Sequence, residues 1–132
     1  MFLQELKENE KKAFLELVHL VAKANGIITT EEQKMLDSYN KEMGVTICLE
    51  ELEEKELLDI VGQFESNRSK RIVFLEALAV ALADGDYMED EKEFIKGLRE
   101  AFAITLDEYE DFKGWIIKTN ALYEQASELV NK

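Results

Sequence analysis

"AFLELVHLVAKANGIITTEEQKML" at residues 13–36 lies over "IVFLEALAVALADGDYMEDEKEFI" at 72–95 when the chain is shifted by 59 positions, from residue 13 to residue 72. Val21, Ala22, Ala24, Gly26 and Glu32 then fall on Val80, Ala81, Ala83, Gly85 and Glu91. Ile28 meets Tyr87, and Met35–Leu36 meets Phe94–Ile95. On both sides of the shared glycine the apolar residues recur every three or four positions, which is the spacing of one helix face. A glycine just past a helix end takes the left-handed conformation cheaply. The two stretches therefore read as similar helix–turn–helix units, 13–45 and 72–104, packed into one core with 46–66 as connection. Thr29 and Glu32 form a capping box for the second helix of the first unit, and Glu91 stands at the equivalent third position in the second.

The remainder extends this pattern. No proline occurs, and alternating strand patterns with turn dipeptides are missing, so the fold class is all-α over a single domain spanning 1–132. Asn9 is expected to cap a helix over 10–24, Ser66 or Asn67 to start one ending near Ala83, and another to run over 89–102. One or two short helices are expected in 49–64. Thr105 and Glu108 make a second capping box, for a long C-terminal helix over 105–131. The 69–83 helix is apolar on nearly every side and belongs at the centre, with Glu76 as its one charge needing an edge or a partner.

Sixteen basic and 29 acidic residues give a net charge of −13. A field of that sign repels phosphate backbones and anionic lipid, which disfavours nucleic acid and membrane surfaces and favours cations and basic protein surfaces. The longest apolar run, 72–83, would span about 18 Å as a helix, too short for a bilayer. The start "MFLQELKENEKK" shows no secretory pattern. With Cys48 as the single cysteine, these features lead to the expectation of a cytoplasmic protein.

The stretch "ALADGDYMEDEKEF" at 81–94 has the glycine and glutamate spacing of the second half of a calcium loop. If Gly85 is loop position 6, positions 1 and 3 are Val80 and Leu82, whose hydrocarbons cannot ligate a cation. The first unit has Val21 and Lys23 there. Neither unit is a complete calcium loop. The second nevertheless carries Asp84, Asp86, Glu89, Asp90, Glu91 and Glu93, relieved only by Lys92. Such a cluster is either a solvated acidic face or a receptive site for a hard divalent cation, calcium, magnesium or manganese. His19, in "LELVHLVA", reads as a core histidine. "EELEEKE" at 50–56 reads as a solvated helix face.

"LVHLVAKANGIITTEE" and "FLEALAVALADGDYMEDEKEFIKGLREAFAI" resemble the tellurite-resistance TerB-like family of small helical bacterial domains, over about 10 to 110. The resemblance implies a compact orthogonal bundle of about seven helices and an association with tellurite resistance and stress responses. It further implies a module that is not an established enzyme. Carried over by position, the family's acidic residues implicate Asp84 and Glu91, with Asp86 adjacent, as a metal site, while Asn25 replaces the acid in the first unit. The expected function is a cytoplasmic, non-enzymatic module that docks other proteins through its acidic surface. The rival is a metal-assisted hydrolase using the same carboxylates.

The C-terminal helix raises the question of self-association. Tyr109, Phe112, Ile116, Thr119, Tyr123, Ala126 and Val130 alternate steps of three and four, with Trp115, Leu122 and Leu129 in a flanking row. Packing along its own bundle in a monomer is the favoured expectation, and pairing with a second copy is the alternative.

Overall fold

The computed structural model describes the backbone of residues 2–24, 29–82 and 89–132, and the side chains of 2–23, 33–82 and 89–132. Among the described residues are six α-helices: α1 (Glu8–Ala24), α2 (Thr29–Met43), α3 (Leu57–Val61), α4 (Asn67–Leu82), α5 (Glu89–Ala101) and α6 (Leu106–Val130). Two 3₁₀ turns, Leu3–Glu5 and Leu49–Glu51, complete the regular structure, and no strand occurs among these residues. The described residues are all-helical, with six α-helices among them where about seven were expected of the chain.

Two helices organise the core. α1 packs against α2, α3, α4 and α5, while α4 packs against α1, α5 and α6. Their inward faces bring together Phe14, Leu17 and Val18 with Val73, Phe74, Ala77 and Leu78, all fully or almost fully buried. Leu36, Ile60, Ile95, Leu98 and Ile116 close the cluster from the surrounding helices. Edge-on ring pairs bind distant segments, Phe14 with Tyr39 at 5.0 Å and Phe64 with Phe102 at 5.9 Å. The expected centrality of the 69–83 helix holds, and α1 shares that place.

Several helix boundaries have a local cause. α1 begins at Glu8, so Asn9 lies inside the helix rather than capping it, and its side-chain amide donates to the Gln63 carbonyl. Glu10 takes the cap instead, accepting from the Lys7 N–H at 2.9 Å; it is the glutamate half of a capping box without the hydroxyl half. Ser66 caps α4 by accepting from the Ser69 N–H at 3.0 Å. Thr105 caps α6 with both bonds of the expected box formed to Glu108. The box expected at Thr29 and Glu32 falls outside the described side chains.

The first residues of α1 and α4, Glu8 and Asn67, are 59 positions apart. The left-handed residues that follow α2 and α5, Gly44 and Ala103, keep that interval. Gly44 has φ of 69° and Ala103 has φ of 57°, both left-handed. Behind each, two crossed backbone bonds close the helix, Val45 to Asn40 and Gly44 to Lys41, then Ile104 to Arg99 and Ala103 to Glu100. This is the Schellman arrangement, built once on glycine and once on alanine.

α6 is packed for only half its length. Phe112 lies 5.6 Å from the Phe74 ring, Ile116 is buried, and Arg71 of α4 pairs with Glu108. From Asn120 to Lys132 every residue is exposed. The expectation that this helix lies along its own bundle holds for its first half and not for its second, whose side chains are exposed.

Candidate functional site

The acidic stretch that the sequence singles out is only partly described. Asp84, Asp86, Gly85 and Gly26 lie outside the described residues. Glu91 is the third residue of α5, as expected, and its side chain is buried at 6% exposure, whereas Glu89, Asp90 and Glu93 are exposed. An acid in the first turn of a helix is favoured by the exposed N–H groups and the dipole there. Among the described residues no three His, Cys, Asp or Glu side chains converge where they could hold a metal ion. His19 is half-buried on α1, and Cys48 is exposed at the head of the second 3₁₀ turn.

Glu76 reaches an edge. It lines a groove between α4 and α6 with Ala79, Ile116 and Thr119, and it also faces Tyr39 of α2. Burial pushes the Tyr39 hydroxyl far above its ordinary titration range, and the carboxylates of Glu76 and then Glu42 add to the shift. Tyr39 is accordingly a neutral hydroxyl at any physiological pH.

The most fully buried acid among the described residues is one that sequence reading passed over. Glu16, at 1% exposure in the middle of α1, accepts from the Glu53 N–H at 3.0 Å and from the Lys55 ammonium at 3.2 Å. Both donors belong to the connection between α2 and α3, and Lys23 of α1 pairs with Glu54 a residue further along. A carboxylate this buried is stable only when charge and lone pairs are both answered, and here one cation and one backbone donor answer them. The consequence is mechanical. The irregular segment from Leu49 to Glu56 is tied to the central helix at its midpoint, and Glu50, Glu51, Glu53, Glu54 and Glu56 remain exposed around the tie. The segment expected to be a solvated helix face is a 3₁₀ turn followed by extended chain, with its acids on a braced backbone. One signal was available: an acid within "AFLELV" sits on the same apolar run that buries Phe14 and Leu17.

A contrasting feature lies between α5 and α6. Lys92, Lys96, Arg99 and Lys113 surround a groove of about 430 Å³ floored by Ile95, Leu106 and Tyr109. Part of this basic set is structural, since Arg99 donates to the Ile104 carbonyl at 2.9 Å and so braces the end of α5. The spacing of Lys92, Lys96 and Arg99 on one helix face was legible in sequence.

No family model, no curated protein and no solved structure matches this chain. Among the described residues no helix is long and apolar enough to cross a membrane.

Proposed function

We propose that this chain is a non-enzymatic, TerB-like helical module that docks basic surfaces of other proteins through its acidic exterior, with the braced 49–56 connection as the principal contact. The observation that carries this reading is the burial of Glu16 against Glu53 and Lys55. A flexible acidic loop loses conformational entropy when a partner orders it, whereas a braced one has already met that cost on folding. A net charge of −13 then steers basic partners and repels anionic ones. The likeness of the helix bounds on either side of the 59-residue shift supports a fold built on two similar helical pairs. Tellurite-resistance and stress-response association, and a cytoplasmic location, rest on the family resemblance and the composition.

Pull-downs with the full chain and with a Glu50→Gln, Glu51→Gln, Glu56→Gln variant test this reading. The variant is expected to lose partners that the unmodified chain releases at elevated salt. Recovery of the same partners by both would overturn it.

A second reading, a divalent cation held by Asp84, Asp86 and Glu91, is favoured by the burial of Glu91 alone among the described acids of that stretch. It predicts that calcium, magnesium or manganese raises the melting temperature, since binding only the native state stabilises it. Asp84→Asn with Glu91→Gln would abolish the rise. Calorimetry showing no saturable binding at millimolar metal would end this reading.

A further inference from the structure

The distal half of α6 carries a run of large solvent-facing apolar side chains. Leu122 is 64% exposed, Tyr123 78%, Leu129 66% and Val130 81%. Monomeric proteins seldom leave such a set in one place without a partner. We infer that α6 pairs antiparallel with α6 of a second copy of this chain, along the seam Phe112, Trp115, Thr119, Leu122, Ala126 and Leu129.

Three observations select this occupant. First, the seam alternates steps of three and four without a break from the packed half into the exposed half, which is the heptad spacing of a two-helix interface. Trp115, in its packed half, is still 44% exposed, and beside it Phe2, Leu75 and Phe112 line an apolar groove of about 400 Å³. The same face of one helix thus offers a groove at its start and apolar side chains at its end. An isologous pair needs that self-complementarity.

Second, one antiparallel register matches the layers by size. Phe112 meets Leu129, Trp115 meets Ala126 and Thr119 meets Leu122, each layer occurring twice. The largest residue of the seam faces the smallest.

Third, the flanking charges agree with that register. Asp111 falls beside Lys132 of the other copy, and Lys118 beside Gln125. A parallel pair would instead bring two starts of α6, each with Asp107, Glu108, Glu110 and Asp111, side by side in a chain already at −13. Repulsion disfavours that arrangement, and the antiparallel one separates the two acidic ends.

Light scattering of the full chain at 10 to 200 µM, an order-of-magnitude window for such a short seam, is expected to move from the 15.2 kDa chain towards twice that mass. Leu122→Glu with Leu129→Glu should remain monomeric throughout, with an unchanged helical circular-dichroism spectrum because both side chains are exposed. Asp111→Lys should weaken the dimer, and adding Lys132→Asp should restore it. In a Cys48→Ser background, Leu129→Cys should not form a disulfide with itself, since the two copies of that residue sit about 25 Å apart along the antiparallel pair at 1.5 Å per residue. A monomer at the highest concentration, a dimer indifferent to the Leu122 and Leu129 changes, or rapid disulfide formation through position 129 would each overturn the inference.

Discussion

Two regions of this chain, α1–α2 and α4–α5, keep one interval in sequence and are braced by different chemistry. α1 and α4 start 59 residues apart, and α2 and α5 end on left-handed residues 59 apart. Within that frame almost every stabilising detail differs. The core pair Phe14–Leu15 is answered by Val73–Phe74, with the large side chain moved one position along the helix, and all four are fully buried. The first half stops α2 with Gly44 and uses the Asn40 side chain to bond both the N–H and the carbonyl of Ile47. The second half stops α5 with Ala103 and uses Arg99 on the Ile104 carbonyl. Among the described residues, the first half buries Glu16 at the midpoint of α1, and the second buries Glu91 in the first turn of α5. The helical frame is thus set by apolar spacing and by a stop of the right handedness, while the identity of the bracing groups is free to diverge.

The largest expected effect tests whether both halves share one core. Phe14→Ala and Phe74→Ala should each cost about 3–5 kcal/mol, and each should give a single cooperative denaturation curve. Two separate transitions in either variant would mean that the halves are independent units.

Glu16 tests the asymmetry. Glu16→Ala leaves the Glu53 N–H without its acceptor and should cost about 2–3 kcal/mol, reduced from the value for a fully buried pair because Lys55 retains water contact and the Glu53 carboxylate at 3.8 Å. Glu16→Gln keeps an acceptor for the backbone and should cost less. Equal losses for the two substitutions, read from urea midpoints, would show that volume rather than hydrogen bonding matters there.

The helix stops give smaller effects of opposite sign. A non-glycine residue in the left-handed region is strained by roughly 1 kcal/mol, partly offset by its lower entropy in the unfolded chain. Gly44→Ala should therefore destabilise by about 1 kcal/mol, and Ala103→Gly should stabilise by about 0.5 kcal/mol. Thermal melts of the two variants moving in the same direction would break the equivalence of the two stops.

The smallest effect is set by pH. The Glu108 carboxyl is held below the usual carboxylate range by the Thr105 backbone N–H first, and by Arg71 and the Thr105 hydroxyl besides. A depressed folded pKa means that its contribution is present above the ordinary carboxylate value of about 4.3 and is lost as pH falls through the lower folded value. Between those points the start of α6 should fray in the unmodified chain, and a Glu108→Gln variant should show less change over the same window. Amide exchange at Glu108 and Tyr109 reports it directly.

These residues also show what was legible in sequence. Apolar spacing located the helices, because burial of a stripe is repeated every three or four residues and survives substitution. Thr105 with Glu108 was legible because both halves of the capping box are present. Lys7 with Glu10 was not, since the cap lacks its hydroxyl, and the start of α1 was placed too late at Asn9. Ala103 gave no signal, because only geometry distinguishes it from a helical alanine. Glu16 was missed for a different reason: its donors lie 37 and 39 positions away, and a long-range tie to an irregular segment leaves no periodicity behind. On α6, heptad spacing was visible throughout, but spacing alone does not tell a row that meets its own bundle from one that faces solvent.

The central claim is that the acids braced by Glu16, rather than net charge in general, make the docking surface. The direct measurement compares dissociation constants of one captured partner for two variants of equal charge. Glu50→Gln, Glu51→Gln, Glu56→Gln alters the braced connection, and Glu110→Gln, Glu124→Gln, Glu128→Gln alters exposed positions of α6 away from its seam. The account predicts at least about a tenfold loss of affinity, on the order of 1.4 kcal/mol, for the first variant and little change for the second. Equal losses for the two would contradict it.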